Sequence, residues 1–213
     1  MRTPNLIRHL TGALVAAAGV LSGASCSDMA RTGSGPAFLV MESVGASRGG
    51  SGSTFTSSLL SDVLTLVDVT VGGVTTKVPT IFNDLGQATI RAEMKNQLAT
   101  TAPTPVNSIT LNRYRVRFRR ADGQNREGID VPYGFDGGTT ANITVGATTS
   151  VNFDLVRHQS KSEPPLRNLI NGGGLRFISV IAEVTFYGAD QAGNEVSVTG
   201  SIDVQFGDFG DES

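Results

Sequence analysis

The chain has 213 residues, a formal net charge of −2, 26 glycines, ten phenylalanines and no tryptophan. A weakly acidic chain exerts no global electrostatic pull on nucleic acid, so no nucleic-acid partner is expected. Its hydrophobic fraction of 39% supplies enough apolar side chain for a packed core, which excludes wholesale disorder.

Residues 1–25 have the order of a secretory signal. Arg2 and Arg8 precede an uncharged apolar run from Leu10 to Leu21, and the small residues Ser22-Gly23-Ala24-Ser25 follow. That run is short of the roughly 20 residues that a membrane-crossing helix needs. Cys26 is the single cysteine, so no intramolecular disulfide can form. Gly23-Ala24-Ser25-Cys26 resembles a bacterial lipobox, with Gly23 at the position where that family prefers Leu. The resemblance implies that Cys26 is diacylated and becomes the first residue of a mature lipoprotein. Ser27 beside it implies sorting to the outer membrane. Ordinary signal cleavage before Cys26 is the alternative, and it would leave a soluble periplasmic or secreted protein. Acylation by two or more chains makes a stable anchor, and residues 26–36 then read as the lipidated cysteine and its flexible tether. Loss of Arg2 and Arg8 with the signal leaves 15 basic against 19 acidic side chains.

Residues 37–213 read as one β-rich domain, with a division near Pro103–Pro105 as the alternative. Ala37 to Glu42 is an apolar run of strand length, followed by a Gly/Ser-rich loop over 45–58. Asp62 to Val67 gives a second strand, and Val69 to Val78 predicts a hairpin turning at Gly72-Gly73. Ala88 to Lys95 alternates apolar and charged residues, as a half-buried strand does. Ile109 to Arg119 is a long strand ended by Ala121-Asp122-Gly123, and Ile143–Val145 and Val151–Leu155 form a further pair. Ser162 to Ile170 is the one helix predicted: Ser162 as cap, Pro164 and Pro165 in the first turn, Gly172 as stop. Leu175 to Tyr187 and Glu195 to Phe206 are two long strands around the turn Ala189 to Asn194.

Val184-Thr185-Phe186-Tyr187, Asp190-Gln191-Ala192-Gly193-Asn194 and Glu195-Val196-Ser197-Val198 together resemble the closing hairpin of bacterial immunoglobulin-like domains. The resemblance covers about 25 residues and implies a fold rather than a function. With about seven to nine strands, it gives the expected class: all-β, an antiparallel immunoglobulin-like two-sheet sandwich with long loops and one short crossover helix.

Arg113, Arg115, Arg117 and Arg119 alternate with Tyr114, Val116 and Phe118, so the four guanidinium groups leave one strand on one face. Such a row could hold a polyanion, and it equally suits a solvated sheet face neutralised by acids such as Glu93 or Asp203. Enzyme chemistry finds little to work with. His158 is the only histidine beyond the signal, which excludes zinc sites needing two or three, and no Gly-x-Ser-x-Gly elbow is present. Asp130 and Asp136 could form a carboxylate pair of the kind glycosidases use, but two acids in a loop are usually only that. Asp190, Asn194 and Glu195 lack the dense acidic spacing of a calcium loop, and so do Asp208, Asp211 and Glu212. No catalytic residue, metal or cofactor is therefore expected. The expected role is a lipid-anchored, extracytoplasmic, non-enzymatic binding or adhesion module of the bacterial envelope. Its partners are then the membrane through its lipid, and an envelope protein or glycan. The alternative is a structural accessory subunit of a secretion, pilus or outer-membrane assembly.

Overall fold

A computed structural model describes residues 35–50, 54–96, 107–173 and 175–209. Of these, 63% lie in strands and 6% in helices, so the chain is all-β. In chain order the strands are β1 (Ala37–Ser47), β2 (Ser58–Asp62), β3 (Thr65–Val71), β4 (Val74–Thr80), β5 (Asp84–Met94) and β6 (Ile109–Arg119). After these come β7 (Phe135–Ile143), β8 (Thr148–Val156), a short helix α1 (His158–Ser162), a 3-10 turn (Leu166–Leu169), β9 (Phe177–Asp190) and β10 (Glu195–Gly207).

The strands sort into a three-stranded sheet β1-β5-β8, a five-stranded sheet β2-β10-β9-β6-β7 that curls as a half-barrel, and a separate hairpin β3-β4. All pairs are antiparallel except β2, which runs parallel to β10 with Val204 opposite Leu59. Period-two alternation does the sorting, because a strand buries one of its two faces. Ala88, Ile90 and Ala92 of β5 and Val151, Phe153 and Leu155 of β8 point inward from the smaller sheet. Val180, Ala182, Val184 and Phe186 of β9 and Ile202, Val204 and Phe206 of β10 answer them from the larger. Aromatic rings close the gap between the sheets. Tyr114 of β6 lies 5.3 Å from Phe153 of β8, edge-on, and Phe153 lies 5.3 Å from Phe186 of β9. Edge-to-face rings at this spacing add to the area they bury.

β6 carries a register shift between Leu111 and Arg113. The extra residue moves the inward positions from odd (Ile109, Leu111) to even (Tyr114, Val116, Phe118), so both halves of the strand keep apolar side chains in the core. All four arginines are thereby committed to the outer face.

The predicted helix is broken. α1 ends at Ser162, which closes it rather than capping a new one, and Glu163 is extended with φ −115° and ψ 156°. A residue before proline is pushed out of the helical region, and here Glu163 precedes Pro164 and Pro164 precedes Pro165. The chain resumes only as the 3-10 turn Leu166–Leu169, which buries Leu166 and Leu169. The strand expected from Ile143 to Val145 as the partner of Val151–Leu155 instead ends at Ile143 and pairs with β6. It is the edge strand β7, and Gly137 is the reason the core tolerates it: a Cβ there would stand 2.2 Å from the Tyr114 ring.

The hairpin expected around Gly72-Gly73 is present as β3-β4. Both glycines have positive φ, +61° and +83°, as the two-residue turn that matches strand twist requires. Val67 faces Val78 and Val71 faces Val74 across the pair, so five valines, counting Val69, share one side. Val71 and Val74 are 74% and 66% exposed. Among the described residues the hairpin pairs with no other strand.

Candidate functional site

The outer face of the five-stranded sheet is built by β6, flanked by β7 and β9. Arg113, Arg117 and Arg119 are exposed and Arg115 is half-buried. Each has a distinct environment. Arg113 stacks its guanidinium on Tyr187 of β9, 3.9 Å from the ring centroid. Arg115 forms a two-pronged contact with Asp136 of β7, Nε to Oδ1 at 2.9 Å and Nη2 to Oδ2 at 2.8 Å. Arg119 reaches Glu183 of β9 at 3.0 Å. Arg117 lies opposite Glu183 in register but forms no ion pair with any described residue.

Among the described residues Arg115 and Arg119 are thus ion-paired, while Arg113 and Arg117 form no such pair. The neutralising acids are Asp136 and Glu183, not the expected Glu93 and Asp203. Glu93 belongs to the other sheet, where it pairs with Arg91. The hydrogen bonds from Arg115 hold the Asp136 carboxyl below the ordinary carboxylate range, against the opposing effect of desolvation. The same contact raises the Arg115 guanidinium further, so both stay charged across physiological pH.

Two shallow depressions flank the row. One, of about 200 Å³, is lined by Arg115, Arg117, Glu127 and Asp136 among others. The second, of about 250 Å³, adds Glu183, Thr185, Tyr187 and Thr199 to the same two arginines. Thr185 and Thr199 share a 2.9 Å hydrogen bond across β9 and β10. Arg115 and Arg117 thus form a ridge between two polar hollows, which suits a branched or chain-like anionic ligand lying along the sheet.

The other candidates are engaged in local structure. Asp130 accepts from Arg126 Nε at 2.7 Å within its own loop, while Asp136 serves Arg115, so the two acids hold different partners. His158 opens α1 and meets the Asn83 side chain through both its backbone N (2.7 Å) and ring Nδ1 (3.0 Å). Asp190 accepts from Asn194 Nδ2 and from the backbone of Ala192 and Asn194, closing the β9-β10 turn. Asp208 accepts from Asn171 N. Among the described residues no three His, Cys, Asp or Glu side chains gather as a metal site. Cys26, its leader and the acids Asp211 and Glu212 lie outside the described residues. No described helix is long and apolar enough to cross a membrane.

One cluster escaped sequence reasoning altogether. Ser61, Asp84 and Lys161 are 0%, 0% and 1% exposed, and they touch one another in the interior. Lys161 Nζ lies 2.8 Å from Asp84 Oδ1, and Ser61 Oγ donates to Asp84 Oδ2 at 2.5 Å. Lys161 precedes the helix expected from Ser162, and nothing local in the sequence marks it as buried.

No protein-family model, no curated protein and no solved structure matches this chain.

Proposed function

We propose that this protein is a non-enzymatic binding module of the bacterial cell envelope, anchored through a lipid on Cys26. It holds an acidic glycan on the arginine face of its larger sheet. The single observation that carries the reading is the arginine row on one open face, where Arg113 and Arg117 form no ion pair among the described residues and Arg117 stands between two polar hollows. Guanidinium groups recognise carboxylate and phosphate through paired hydrogen bonds, and a row of them along a strand suits a repeating anion.

The strand order supports the immunoglobulin-like reading of the fold. β1-β5-β8 stand where strands A, B and E of such a domain stand, and β10-β9-β6 where G, F and C stand, with β7 added beside C. The parallel β2 is then a continuation of the first strand onto the second sheet. Such domains present ligands with loops or open faces and seldom with enclosed catalytic pockets, which agrees with the shallow relief here.

Heparin is a suitable probe. Wild-type protein should bind it at low salt, and binding should fall steeply as salt is added, because displaced counterions return. Changing Arg115 and Arg117 together to Gln should remove most of the binding and leave the melting temperature nearly unchanged, since an ion pair as open as Arg115–Asp136 contributes only about 0–1 kcal/mol. A wild type that ignores heparin at low ionic strength would overturn the reading.

One observation favours the structural-subunit alternative. The valine side of β3-β4 is an exposed apolar patch on a hairpin, a surface suited to assembly. Loss of a co-purifying envelope complex on changing Val71 and Val74 to Ser, with heparin binding intact, would select that alternative.

A further inference from the structure

Lys161 is wholly buried, and its ammonium has few acceptors among the described residues. An ammonium carries three N–H donors. Among the described residues only Asp84 Oδ1 accepts one, at 2.8 Å. Asp84, by contrast, is well supplied. Gly49 N donates to Oδ1 at 2.9 Å, and Ser61 Oγ donates to Oδ2 at 2.5 Å.

The two groups are also held in place. Asp84 opens β5 next to a register shift, and Lys161 sits in the last turn of α1. Asn83, the residue before Asp84, binds the first residue of α1 through two contacts to His158. Its Nδ2 also donates to Asp154 of β8, at 3.4 Å. The helix cannot slide along β5 without breaking these bonds, so nitrogen and carboxyl group stay in contact. Such fixed proximity is what turns a slow bimolecular condensation into a feasible intramolecular one.

We propose that Lys161 and Asp84 condense into an intramolecular amide cross-link. One ammonium proton passes along the existing contact to Oδ1. The free amine then attacks Cγ, forming the C–N bond and placing negative charge on Oδ2, where the Ser61 hydroxyl is already donating. A second proton leaves nitrogen for Oδ1, the Cγ–Oδ1 bond breaks, and Oδ1 departs as water. Atoms and charge balance within the pair, since carboxylate plus ammonium gives amide plus water, and no oxidant or co-reactant enters. The product changes what the site must satisfy, and Gly49 N gives up its acceptor when Oδ1 leaves. The nitrogen keeps one hydrogen in place of three, and the amide oxygen keeps its bond from Ser61.

The test needs no variant. The full-length protein is purified in folded form, denatured and digested with trypsin. Cleavage follows Lys77, Arg91, Arg157 and Arg167, and acylation blocks cleavage after Lys161. The expected product is one branched peptide joining residues 78–91 to residues 158–167, lighter than their sum by one water. Fragmentation should place the branch between Asp84 and Lys161. The peptides 78–91 and 158–161 recovered separately from folded protein, at unmodified mass and in full yield, would show an ordinary ion pair and overturn the proposal. Digestion of Lys161→Arg protein supplies the unlinked reference masses even if that variant folds poorly.

Discussion

Asp190 carries the β9-β10 turn on one side chain. The hydrogen bond from Asn194 Nδ2 lowers its carboxyl pKa most, burial opposes it, and backbone N–H groups of Asn194 and Ala192 add to the lowering. A carboxylate whose folded pKa is depressed contributes stability above its unfolded pKa, about 3.9, and loses that contribution as pH falls towards the folded value. Asp190→Asn should therefore melt below wild type at neutral pH, and the difference should shrink as pH drops below about 4. An equal gap at pH 7 and in acid, measured by thermal melts, would show that the charge is irrelevant. Single residues were legible where the signal was local. The arginine row could be read because period-two spacing fixes a face before any fold is known. The move of inward residues from Ile109 and Leu111 to Tyr114, Val116 and Phe118 is a bulge signature that was also there to read. The Asp84–Lys161 contact was not legible, because its partners are 77 positions apart and meet only through the register of β5, β8 and α1.

Elements were legible wherever alternation was unbroken. β6 covers the same residues as the strand expected from Ile109 to Arg119, and β9 and β10 lie within a few residues of expectation. β7 was anticipated only at its last residue, Ile143, because Gly137-Gly138 and paired threonines carry no apolar signal. It is an edge strand whose inward partner, Tyr114, supplies the bulk that its glycine lacks. The helix was misplaced because capping signals at Ser162 outweighed the more decisive rule about residues before proline. The hairpin β3-β4 was found correctly, yet its independence was not visible until the sheets were assembled. An isolated two-stranded hairpin has little stability of its own, and among the described residues this one is tied to the body at its base. Thr65 and Thr80 are cross-strand partners there, and Thr65 Oγ1 is tied to Asp62 Oδ2 at 3.2 Å. Replacing residues 66–79 with a short turn should leave the melting temperature of the remainder nearly unchanged, since closing a shorter loop costs no more than closing the longer one. Loss of cooperative unfolding in that deletion would mean that the arm packs on the body and supports it.

The whole molecule has two ends. At one, the chain enters the fold beside the β9-β10 turn: Pro36 O accepts from Lys95 N at 2.9 Å, and a Cβ on Gly35 would meet Asp190 Oδ2 at 2.7 Å. At the other, Val63 N donates to Gly207 O at 2.9 Å and fixes the base of the β3-β4 arm. β10 runs the 13 residues from Glu195 to Gly207 between them, roughly 40 Å of extended chain. A lipid at Cys26 would hold the turn end towards the bilayer and carry the valine-faced arm away from it, with the arginine face along the side, open to surface glycan. That arrangement depends on the anchor, which is the last and simplest prediction. Cells given labelled fatty acid should incorporate it into this protein, and Cys26→Ser should abolish the label and move the folded domain from the membrane fraction to the soluble pool. The two outcomes are linked, because two acyl chains bind a bilayer stably while the folded domain offers no described helix that could cross one. Wild-type protein found unlabelled and soluble would remove the tether. The cationic face and the projecting arm would then have to serve a secreted or periplasmic protein instead.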